Sequence, residues 1–64
     1  MLDKRSFRIL MLQAGFETQA ALAKKAGIEP QTLSDLLAGR RSTRRHQVRI
    51  ARLLKVSPGE IWDR

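Results

Sequence analysis

The chain has 64 residues, no cysteine and a single histidine, His46, and its 13 basic and 6 acidic residues give a formal charge of +7 and a pI near 11.5. So short a chain makes one domain over residues 1–64, burying only about 60% of the surface its unfolded form exposes, which leaves no room for a separate catalytic or sensor domain. Without cysteine there is neither a disulfide framework nor a thiolate metal site, which fits a cytoplasmic protein, and the apolar run FRILML at residues 7–12, broken by Arg8, is far too short to cross a membrane.

No segment alternates apolar and polar residues long enough for a strand, so the expected fold is all-α. A first helix is expected over about residues 3–14. Asp3 is its N-cap, Phe7, Leu10, Met11 and Ala14 form its buried stripe, and Gly15 stops it. Thr18 is a good N-cap for a second helix, with Ala21, Leu22 and Ala26 on its inner face and Gly27 at its left-handed end. Glu29 is suited to cap the positive end of a third helix and Pro30 to its first turn; Leu33, Leu36 and Leu37 face inward until Gly39. A fourth helix fits from Thr43 or Arg44 to Leu54, with Gln47, Ile50, Ala51 and Leu54 on one side and Arg45, Arg49 and Arg52 on the other. Val56 then turns inward, Ser57 caps, Pro58 opens a last turn, and Ile61 with Trp62 closes the core; Trp62 equally suits a dimer contact.

Helices two and three carry the function. Joined through Gly27 by a turn of about four residues, they have to cross steeply, and small residues such as Ala23 are needed where the backbones come close. That is the geometry of a helix-turn-helix, which sets its second helix in the major groove of DNA. Charge distribution agrees: residues 36–59 hold seven basic residues, Arg40, Arg41, Arg44, Arg45, Arg49, Arg52 and Lys55, and no acid. By itself the run AGRRSTRRHQ could be a solvated face, a targeting tag or a clamp for an anion; its place directly after the third helix favours a phosphate clamp.

The pieces TQAALAKKAGI, QTLSDLLAGRR and IARLLKVSPGEIW, covering residues 18–62 without a gap, resemble the lambda-repressor-like domains of phage repressors, Cro proteins and XRE-type regulators. The resemblance implies a five-helix fold with helix three as the recognition helix and a dimer on a two-fold-symmetric operator. It makes Gln19 a phosphate contact and places Gln31, Thr32 and Asp35 on the outward side of helix three, where family members touch base edges. Gln31 has the chemistry to pair with adenine, Thr32 to touch a thymine methyl or a phosphate, and Asp35 to accept from a cytosine amino group or to repel phosphate. Arg40, Arg41, Arg44 and Arg45 fall in the segment that lies along the phosphates. Pro30 stands where relatives often carry a polar base-reading residue, so one direct contact is missing.

The reading is thus a small repressor that binds double-stranded DNA as a homodimer, without cofactor, metal, small-molecule ligand or catalysis. His46 has no nucleophile or carboxylate placed to make it catalytic. An antitoxin or controller of the same fold is an alternative. A helical protein-interaction module with a basic docking face is the rival of another class, and it requires exposed apolar side chains on helix three.

Overall fold

The computed structural model describes residues 2–62, which form five helices: α1 Lys4–Gln13, α2 Gln19–Ala26, α3 Pro30–Ala38, α4 Arg44–Leu53 and α5 Pro58–Trp62. No strand occurs among the described residues, and none of their helices is long and apolar enough to cross a membrane. Only three residues, Gly27, Ile28 and Glu29, separate α2 from α3, one fewer than the spacing suggests.

Two of the expected caps are made by side chains. Asp3 Oδ1 accepts from the Ser6 N–H at 2.8 Å and Thr18 Oγ1 from the Ala21 N–H at 3.1 Å, each satisfying an amide that the first turn leaves without a partner. Glu29 occupies the N-cap position of α3 but makes no side-chain cap bond, contrary to expectation. Glutamate is a poorer N-cap than the shorter aspartate. At α5 the bond runs opposite to the expected Ser57 cap: Glu60 Oε2 accepts from the Ser57 N–H at 3.0 Å, the returning half of a capping box.

The four longer helices all end by one device. Beyond each, a residue with positive φ turns the chain back, its N–H bonds to the carbonyl three residues earlier, and the next N–H bonds to the carbonyl five residues earlier. For α2 these are Gly27 to Lys24 at 3.1 Å and Ile28 to Ala23 at 3.0 Å; for α3, Gly39 to Leu36 at 3.3 Å and Arg40 to Asp35 at 2.9 Å. Gly27 at φ 75° and Gly39 at φ 81° adopt this conformation without steric cost. After α4 the same position falls to Lys55, at φ 63°, which carries a side chain into a region that penalises one.

Every helix contributes to one apolar core: Phe7 and Met11 from α1, Leu22, Ala23 and Ala26 from α2, Leu33 and Leu36 from α3, Ile50, Ala51 and, just past its end, Leu54 from α4, and Ile61 from α5. On α2 the inner face is Leu22, Ala23 and Ala26; the expected Ala21 is exposed, because the helix is rotated so that Ala23 meets its neighbours. That small side chain lets α2 pack against both α3 and α4, while α4 packs on α5. The ends are tied in as well: the Leu2 N–H donates to the Ile61 carbonyl at 2.8 Å, and Trp62 Nε1–H donates to the Leu36 carbonyl at 3.0 Å. Trp62 therefore anchors α5 to the last turns of α3.

Lys55→Gly is expected to stabilise the fold. Relief of a left-handed penalty of about 1–2 kcal/mol, less the extra entropy glycine loses on folding, leaves a gain of roughly 0.5–1 kcal/mol. In a domain of this size that raises Tm by about 2–8 °C, measurable by thermal denaturation followed by circular dichroism. An unchanged or lower Tm would mean that Lys55 is not strained.

Candidate nucleic-acid interface

Because α3 buries Leu33 and Leu36, the 100° step of a helix places Gln31, Ser34, Asp35 and Ala38 on its opposite side. Thr32 is half-buried, as are Ser34 and Asp35, and the helical step puts it at the edge of the outward face where it was expected beside Gln31 and Asp35. Ser34 belongs to the face and was missed by sequence reasoning, although its three-residue spacing from Gln31 would have revealed it.

Three of the expected site residues meet in one hydrogen-bond network. Asp35 Oδ1 accepts from Gln31 Nε2 at 3.0 Å, from Arg40 Nε at 3.1 Å and from Arg40 Nη2 at 3.0 Å. The Asp35 main-chain carbonyl accepts from the N–H groups of Arg40 at 2.9 Å and Arg41 at 3.3 Å. Arg40 thus binds Asp35 through both backbone and guanidinium. The Asp35 side chain is only 21% exposed, against 62% for Arg40, so the arginine lies over the carboxylate. The Gln31 amide, then the Arg40 guanidinium, hold the Asp35 carboxyl below its ordinary value of 3.8.

Gln19, the first residue of α2, lines a cleft of about 390 Å³ with Lys4 of α1, Ser34 and Ala38 of α3, and Arg40. Two of the expected phosphate contacts, Gln19 and Arg40, are therefore brought to one concavity, where Lys4 adds a further cation and Asp3 an acid already bonded to the Ser6 N–H. Arg41, Arg44 and Arg45 are exposed on the connection to α4 and its first turn. That first turn receives no side-chain cap from Thr43 and contains no acid, so its unsatisfied N–H groups and positive dipole end are open to an anion. Arg49 is committed elsewhere: its Nη1 donates to the Ala26 carbonyl at 3.4 Å, a cation at the negative end of α2. Among the described residues, the large apolar side chains left exposed are Ile9 and Leu12, each 49% accessible and both on α1. None lies on α3, where an interaction module would need them.

A family model described as a Cro/C1-type HTH DNA-binding domain matches residues 6–64. No curated protein and no solved structure matches the chain.

The lowered carboxyl values fix the sign of the pH dependence. The Ser6 N–H holds Asp3 below 3.8 as Gln31 and Arg40 hold Asp35, so both stabilise the fold fully above the unfolded value and lose that contribution as pH falls through the folded one. The Tm should be level between about pH 7 and 5 and decline below about pH 4. Asp35→Asn, which keeps an acceptor oxygen but cannot titrate, should decline less steeply. Equal acid slopes for the two proteins would show that Gln31 and Arg40 do not favour the ionised carboxylate.

Proposed function

Since the chain belongs to the Cro/C1-type helix-turn-helix DNA-binding domain family, we propose that it is a transcription repressor that occupies a palindromic operator as a homodimer. In this reading α3 enters the major groove, which is wide enough for one helix, with Gln31 facing base edges and Thr32 at the border of the contact. The observation that carries the reading is the outward face of α3: it exposes no large apolar side chain, its Gln31 and Asp35 are hydrogen-bonded to each other, and it leads by Arg40 to the exposed cations Arg41, Arg44 and Arg45.

In this reading two groups of residues bind phosphate. Gln19, Lys4 and Arg40 line the cleft at the start of α2, and Arg41, Arg44 and Arg45 stand on the connection to α4 and its uncapped first turn. Cations and helix N-termini bind phosphate without regard to sequence, so these groups set affinity and register while α3 supplies discrimination. Two copies related by a two-fold axis would place their α3 helices one DNA turn apart, and symmetry of the operator would follow from symmetry of the dimer. Occupying a promoter in this way needs no chemistry.

Binding measured over a range of salt separates the two kinds of contact. Arg44→Ala with Arg45→Ala should weaken specific and random DNA alike and lower the slope of log K against log salt by about 0.9 for each phosphate no longer neutralised. Gln31→Ala should leave that slope nearly intact and reduce the preference for operator over random DNA. Should the double variant match the parent on both DNAs at every salt concentration, the arginine clamp is wrong. Selection of bound sequences from random DNA tests the operator: a palindromic consensus supports the dimer, and no enrichment overturns sequence-specific binding.

A further inference from the structure

We infer that Asp35 determines which base Gln31 accepts, by holding the Gln31 amide in one orientation with one of its two N–H groups already used. This deepens, and rests on, the reading in which α3 lies in the major groove. Asp35 is then a positioning residue and Gln31 the reader.

The inference follows from donor and acceptor counting. An ionised carboxylate only accepts hydrogen bonds, so the atom of Gln31 that lies 3.0 Å from Asp35 Oδ1 has to be the amide nitrogen, and the amide oxygen is turned away. An isolated glutamine has no such preference, because its last torsion is broad and roughly two-fold. With the nitrogen facing Asp35, Gln31 has one N–H and one carbonyl oxygen left to present.

That remainder matches one purine. Adenine offers an acceptor at N7 and a donor at N6, which one N–H and one oxygen satisfy together; guanine offers two acceptors, N7 and O6, which call for two donors. A glutamine with both N–H groups available can serve either purine. Once one is committed to Asp35, a guanine would set its O6 against the amide oxygen, acceptor to acceptor, or leave one group unpaired.

Arg40 makes the arrangement durable. Its Nε and Nη2 bond to the same carboxylate oxygen as Gln31, and its own N–H is bonded to the Asp35 carbonyl, so Asp35 cannot rotate away without breaking several contacts at once. The guanidinium also offsets the carboxylate charge, which would otherwise stand against phosphate on the face that meets DNA.

The test uses the whole chain and duplexes that carry adenine or guanine at the position where Gln31→Ala loses discrimination. A good bidentate contact discriminates by roughly 5- to 150-fold, so the parent should prefer adenine within that range. Asp35→Ala should shrink the preference several-fold, mainly by tighter binding to the guanine duplex. Asp35→Asn should keep most of it, because the donors of Arg40 hold the asparagine oxygen toward Gln31. Asp35→Leu, similar in size but without an acceptor, should behave as alanine does and guards against a loss that reflects unfolding. If Gln31→Ala flattens the preference and neither Asp35→Ala nor Asp35→Leu changes it, the role of Asp35 is overturned and base reading by Gln31 stands. If Gln31→Ala changes discrimination nowhere, the reader itself is wrong and the inference falls with it. An Asp35→Ala effect confined to another base pair would make Asp35 a reader in its own right and overturns the positioning role.

Discussion

Five helices in so few residues can share one core only if each helix stops on the correct residue, and here the four longer ones stop by the same backward turn. The turn depends on one residue with positive φ, supplied by glycine after α1, α2 and α3 and by Lys55 after α4. A second requirement concerns the residue that follows, whose N–H bonds five residues back and whose side chain usually makes an apolar contact with the end of its own helix. Phe16, Ile28 and Val56 meet that requirement and pack against the core. At α3 the residue is Arg40, and in place of the apolar contact its guanidinium bonds to Asp35.

The substitution of an ion pair for an apolar contact occurs on the helix that faces DNA in the proposed function. An apolar residue at position 40 would serve the fold as well as Phe16 or Ile28 does. Arginine there retains the backbone turn and places a cation where the end of the recognition helix meets the loop of arginines. It also clamps the carboxylate to which Gln31 is bonded. Departures from a rule that the rest of the chain obeys are the places to look for function. In this domain the departure and the candidate interface coincide.

Much of the fold was legible in the sequence because it rests on local rules. Asp3 and Thr18 cap by short side chains that reach only their own helix, and Gly27 and Gly39 end helices because few other residues tolerate their conformation. The family was legible in the spacing of small and apolar residues from Gln19 to Ile61. Less legible was whatever depended on helix rotation or on long side chains. Ala23 was expected where the helices come close, but Ala21 is the same residue type, and only the rotation of α2 against α3 and α4 leaves it outside. The burial of Leu33 and Leu36 sets the phase of α3 and with it the place of Thr32 at the edge of the outward face. The Gln31–Asp35 bond follows a familiar four-residue spacing, but Arg40 reaches the same oxygen only after Gly39 has reversed the chain. Arg49 resembles its neighbours Arg45 and Arg52 in sequence, yet it is turned to the carbonyl of Ala26, far away along the chain.

Helix α3 is held at both ends by contacts outside the face that the proposed function assigns to DNA. Its start follows a three-residue turn whose Gly27 also closes α2, and its last turns receive Trp62 Nε1–H at the Leu36 carbonyl while Arg40 and Arg41 bond to the Asp35 carbonyl. Trp62 belongs to α5, and α5 is joined through Ile61 to Leu2, so residues from both ends of the described chain contribute to the placement of α3. If α3 binds DNA as proposed, holding these groups beforehand reduces the entropy that binding has to overcome, most of all at Gln31, whose free side chain would sample many rotamers. As proposed phosphate contacts, Arg41, Arg44 and Arg45 would need no comparable order, because attraction to phosphate acts over several ångströms and tolerates many geometries. In the proposed function, the side-chain hydrogen bonds of α3 thus lie on the face assigned to base reading, and the exposed cations lie where only charge would have to be met.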